Sequence, residues 1–66
     1  MVYWVKVALF DGESDVEEYG EIEEAQEAYS TALDMESDGV LGDVARISYG
    51  KRADGVSKTL AFTDYE

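Results

Sequence analysis

The chain has no cysteine, no histidine, no proline and only five Lys or Arg among its 66 residues. Without cysteine there is no disulfide framework, no thiol nucleophile and no Cys-ligated zinc, a composition suited to a reducing compartment. Without histidine the commonest general base and the commonest metal ligand are both missing. A hydrolase built on two carboxylates would need an enclosed cleft to keep one of them protonated, and a chain this short leaves little room for one. The chain is therefore read as non-enzymatic, with no cofactor and no metal expected. No stretch approaches the roughly 18 apolar residues of a membrane span. The first ten residues lack the basic start and small-residue cleavage site of a signal peptide, so a soluble, cytoplasmic protein is expected.

One domain, 1-66, is the most this length supports, and such a chain buries only about 60% of the surface its unfolded form exposes. Its hydrophobic share of 45%, with five Tyr, two Phe and one Trp, is too rich for a disordered acidic tail. A folded domain with an acidic surface is expected.

Charge is the dominant feature. The net charge is −11, and thirteen of the sixteen acids fall between Asp11 and Asp43, a stretch without a single Lys, Arg or His. Outside it Lys6, Arg46, Lys51, Arg52 and Lys58 face only Asp54, Asp64 and Glu66. A field of that sign repels nucleic acid and anionic membranes and attracts basic proteins.

The apolar run from Val2 to Phe10, ended by Asp11-Gly12, predicts a central strand, because both of its faces are apolar. Tyr3, Val5, Val7 and Leu9 share one face, and Val2, Trp4, Ala8 and Phe10 the other. Trp4 reads as core or dimer-interface packing, with an exposed partner anchor as the alternative. Residues 11–21 read as a loop, with at most a short edge strand near Val16 to Tyr19. From Glu21 to Asp38, Ile22, Ala25, Ala28, Tyr29, Ala32 and Leu33 fall on one side of a helix with Met35 at the edge, and Gly39 supplies the C′ stop. The opposite side gathers Glu23, Glu27, Asp34 and Asp38.

Gly39 to Asp43 forms a connection, its acids arguing against a phosphate site. Val44 to Tyr49 and Val56 to Phe62 flank Asp54-Gly55, a strong hairpin signal. A regular two-residue turn there pairs Tyr49 with Leu60, Ile47 with Phe62, Ser48 with Ala61 and Lys51 with Lys58. The expected fold is α+β, a β-α-β-β arrangement with one helix on a three-stranded, possibly four-stranded, mostly antiparallel sheet.

Asp11-Gly12-Glu13-Ser14-Asp15 has the alternating acids of a calcium loop, but Val16 stands where that loop needs Gly and Ile22 where it needs Glu. The acidic tract is better weighed against a plain solvated surface. Solubility needs a net charge of roughly 2 to 8 with signs interspersed. Here the signs are segregated and the magnitude is larger. Glu23 and Glu27, and Asp34 and Asp38, are like-charge i,i+4 pairs, each costing about 0.2–0.5 kcal/mol. Asp34, Glu36 and Asp38 crowd the helix C-terminus, where the macrodipole disfavours anions by roughly 0.3–1 kcal/mol each. Local rules broken without structural gain point to function.

On these residues the chain resembles the small acidic nucleic-acid-mimic inhibitors of bacteriophages, among them certain anti-CRISPR proteins. The resemblance covers the tract Asp11 to Asp43, the small size and the sheet-plus-helix body. It implies a stoichiometric protein inhibitor acting in the host bacterial cytoplasm, whose acidic surface blocks the basic groove of a nucleic-acid-binding protein or complex. The carboxylates expected to meet that partner are Glu13, Asp15, Glu17, Glu18, Glu23, Glu24, Glu27, Asp34, Glu36 and Asp38. Two other readings stay open: an antitoxin or immunity protein plugging a basic nuclease, and a haloadapted domain of unrelated role.

Overall fold

In the computed structural model, residues 1–39 and 43–65 are described. They form β1 (Val2–Leu9), β2 (Ser14–Tyr19), α1 (Ile22–Ser37), β3 (Val44–Ala53) and β4 (Val56–Asp64). The strands make one antiparallel sheet in the order β2-β1-β3-β4, with α1 across one face. The α+β expectation holds, and the fourth strand is present. The expected connection through Val40, Leu41 and Gly42 lies outside the described residues.

β1 is central, as its two apolar faces require, hydrogen-bonded to β2 on one side and β3 on the other. The expectation of a loop at 11–21 with a short edge strand near Val16 to Tyr19 is corrected in extent: residues 14–19 are a full strand. The turn before it is built by Asp11, whose Oδ1 accepts the Glu13 amide at 2.9 Å, and by Gly12, whose φ of 95° suits glycine. The Leu9 amide donates to the Glu13 carbonyl at 2.8 Å, closing the hairpin. A strand with few apolar residues forms there because the free edge of β1 offers unpaired backbone groups that need partners.

The helix keeps its expected limits within one residue, flanked by Glu21 and Asp38, with Gly39 at φ 76° as the left-handed C′ residue. Ala25 and Ala32 are buried, and Ala28, Tyr29 and Leu33 are half-buried. Ile22, assigned to the core face, is instead exposed in the first turn, beyond the reach of the sheet. The core is Ala32, Val44 and Ile47, packed against Val7, Leu9, Tyr29, Leu33 and Tyr65. Small alanines let α1 approach the sheet closely. Tyr29 anchors it, its hydroxyl 2.8 Å from Thr63 Oγ1 and its ring 4.9 Å from that of Tyr49.

The β3-β4 hairpin turns at Asp54 and Gly55, with φ of 53° and 79°, the backbone of a type I′ turn. Lys51 does face Lys58. Beyond that point the expected register is wrong. A bulge at Leu60 shifts the ladder, so Tyr49 pairs with Ala61, Ser48 with Phe62 and Ile47 with Thr63. One inserted residue reverses every later side chain, which takes Phe62 off the helix-covered face and puts Thr63 beside Tyr29.

Candidate functional site: an acidic groove between helix and edge strand

Antiparallel partners share a face of the sheet, so the register divides the acids of β2. Asp15 lies opposite Val7 and Glu17 opposite Val5, on the side that α1 covers. Because α1 is held over β3 and β1, an open groove of about 530 Å³ remains between it and β2. Asp15, Glu17 and Tyr19 form one wall, Glu24, Glu27 and Thr31 the other, over a floor of Val5, Val7, Ala28, Ala32 and Met35. Four carboxylates rim an apolar trough.

Glu17 accepts a 2.9 Å hydrogen bond from the Tyr19 hydroxyl. That bond, reinforced by slight burial and by the charges of Glu17 and Glu24, raises the phenol above its ordinary range and keeps it a neutral donor. The carboxylates present acceptors only, so the trough is chemically fitted to donors on a cationic, partly aliphatic group. Among the described residues no three acids are grouped so as to hold a metal ion.

The other expected contact residues divide. Glu13 is exposed in the β1-β2 turn; Glu23 and Asp34 are exposed along α1, and Asp38 is exposed at its C-terminal cap. With Glu27 these last three continue the negative surface along the helix beside the groove. Glu18 stands apart from the groove. It lies on the opposite face of the sheet, paired with Arg52 across β1. Expecting the whole tract without counterions ignored the alternation of a strand, which sends Glu17 and Glu18 to opposite sides. Glu36 is half-buried, its Oε2 has no hydrogen-bond partner among the described residues, and its charge adds to burial in raising the Tyr65 phenol.

Sequence reasoning missed the trough. The apolar patterns place Val5 and Val7 on one face of β1 and Met35 at the edge of the apolar side of α1, and neither pattern shows that a groove opens between helix and edge strand. The available signal was Asp15 and Glu17 at i,i+2 around Val16, the spacing of one face of a strand.

On the uncovered face, Trp4 is half-buried and its Nε1 has no hydrogen-bond partner among the described residues. Arg46 meets Asp64 through two nitrogens, one contact being 3.1 Å, and lies 4.9 Å from the Phe62 ring centroid. The Arg46 hydrogen bond and positive charge hold the Asp64 carboxyl below its ordinary range, against a slight desolvation effect. Among the described residues no helix is long and apolar enough to cross a membrane. No protein-family model, curated protein or solved structure matches this chain.

Proposed function

We propose that this protein is a stoichiometric inhibitor that imitates a nucleic-acid backbone and occupies the basic groove of a nucleic-acid-binding protein. The observation that carries this reading is the pair of acidic rows, Asp15 and Glu17 on β2 and Glu24 and Glu27 on α1, facing each other across an apolar trough. Alternate strand residues advance about 6.7 Å, close to two phosphate steps of about 3.4 Å along one DNA strand. Arg and Lys side chains that normally grip phosphates would lay their aliphatic stems on Val5, Val7 and Ala28 and present their charged heads to the carboxylates. Release of counterions gathered around a chain of net charge −11 would add to the driving force. The protein acts by occupation and uses no cofactor, and its place is the cytoplasm, where such partners work.

The test is affinity capture from bacterial lysate with and without excess duplex DNA. A basic nucleic-acid-binding protein that DNA releases supports the proposal. Capture only of partners indifferent to DNA would overturn mimicry in favour of another kind of protein inhibitor. No capture, together with unfolding at low salt, would overturn it in favour of haloadaptation.

A further inference from the structure

We propose that the sheet face left open by α1 joins two copies of this chain. The proposal does not depend on the acidic groove, which lies on the other side of the sheet. Trp4, Val16 and Phe62 all stand on the open face, with Val16 53% and Phe62 57% exposed. Large apolar side chains on the uncovered layer of a two-layer fold call for a second layer.

Charge identifies the occupant. The register places Lys6, Arg46 and Arg52 on this face with Glu18 and Asp64, a local sum of +1, so the remainder of the chain carries −12 of the total −11. Two such chains repel each other most strongly through the helix and groove, where the acids are gathered. Face to face they bring nearly neutral patches together and point both acidic grooves outward, as far apart as the pair allows. A two-fold interface must be self-complementary, and this patch carries both signs, with Val16 and Phe62 on its two edge strands, Lys6 and Ser48 between them, and Trp4 in the neighbouring row. Among the described residues Lys6 has no ion pair, and the facing copy supplies the carboxylates of Glu18 and Asp64 to the same patch.

The edges of the sheet do not compete. β4 carries the Leu60 bulge and Lys58, and β2 carries Asp15, Glu17 and Glu18, all features that discourage strand-to-strand extension. Strands of 8, 6, 10 and 9 residues, rising about 3.3 Å per residue and about 4.8 Å apart, give a face of roughly 520 Å² in plan. That falls below a standard interface, which buries roughly 600–1,000 Å² per partner, and in the range of weak, transient ones. A reversible dimer follows rather than a permanent one.

Sedimentation equilibrium tests this on the wild-type chain from about 1 µM to about 1 mM, a range that brackets a weak complex, at low and at moderate salt. The expected result is a mass rising with concentration from 7.3 kDa toward twice that value. The midpoint should move to lower concentration as salt screens the repulsion between copies. Phe62→Glu and Val16→Glu, on different strands, should each weaken the dimer by roughly 30-fold or more, the size of a hot-spot loss. Far-UV circular dichroism confirms that each variant compared is folded. Glu27→Gln, on the groove side, should dimerise at least as well as wild type. A mass of 7.3 kDa at every concentration and salt would overturn the proposal, as would a dimer that folded Phe62→Glu or Val16→Glu leaves intact.

Discussion

The indole of Trp4 occupies the space that a side chain on Gly50 would need: a Cβ at Gly50 would run into the ring and into the Lys58 carbonyl oxygen. The two residues face each other on adjacent strands, β1 and β3. Glycine here is a packing requirement, since the backbone of β3 must come close enough for the ring to rest on it.

Gly50→Ala should therefore lower stability. Removing a glycine by itself gains about 0.4–1 kcal/mol from the unfolded chain, but overpacking costs about 1–3 kcal/mol, and here one of the colliding atoms is backbone. The melting temperature should fall, by about 4–8 °C per kcal/mol of net loss in a domain of this size. Trp4 fluorescence should change as the ring is displaced. A melting temperature equal to or above that of wild type would show that the ring and strand are not in contact.

Tyr29→Phe removes one partner of the hydroxyl contact that ties α1 to Thr63 on β4. The expected loss is about 0.5–1.5 kcal/mol. Thr63→Val should cost a similar amount, and the double variant less than the sum of the two, because they share one interaction. Strict additivity in urea unfolding would contradict the contact and, with it, the register shift at Leu60 that brings Thr63 to the helix side.

That register shift shows where the sequence was legible and where it was not. Apolar periodicity located β1 and α1, and Asp54-Gly55 located the hairpin tip, because each depends on local patterns. The bulge at Leu60 has no local signature, since Leu60 and Phe62 alternate as well in a regular strand; tertiary packing selects the irregular ladder. The first hairpin was read only as a possible short edge strand near Val16 to Tyr19. Asp11-Gly12 is the same dipeptide as at the tip, and the acids that follow it were read as a loop although they alternate around Val16. The acidic character of the site could be counted from the sequence. Its division into a groove and a paired Glu18 on the other face required the strand.

Salt should raise the melting temperature at pH 7. With a net charge of −11 and only two salt bridges seen among the described residues, self-repulsion exceeds the attraction that screening would remove. Thermal melts from low to moderate sodium chloride check this. A flat or falling trend would mean that ion pairs dominate.

The Arg46–Asp64 pair gives a pH dependence with a defined sign. Asp64 is more acidic in the folded chain than its ordinary value of 3.8, so the folded state binds its proton less readily than the unfolded state does. Its contribution is fully present well above pH 3.8 and is lost as pH falls through the lowered folded value. Asp64→Asn should therefore destabilise modestly at pH 7 and not at all in strong acid, with NMR titration of the Asp64 carboxyl as the check. Tyr19 and Tyr65 act at the other end. Their folded values lie above 10.0, so the stability they contribute is present below pH 10.0 and is lost as pH rises through those folded values.

Competition on a captured partner measures whether the acidic groove replaces a nucleic-acid backbone. The anisotropy of a labelled DNA duplex bound to that partner would be followed as the protein is added. Wild type should displace the duplex with one-to-one stoichiometry. A folded variant carrying Asp15→Asn, Glu17→Gln, Glu24→Gln and Glu27→Gln should need at least roughly 100-fold more protein, given the 2–5 kcal/mol commonly lost with buried charge pairs. Equal displacement by wild type and variant, or a ternary complex that keeps the duplex bound, would contradict the claim that the acidic groove stands in for a nucleic-acid backbone.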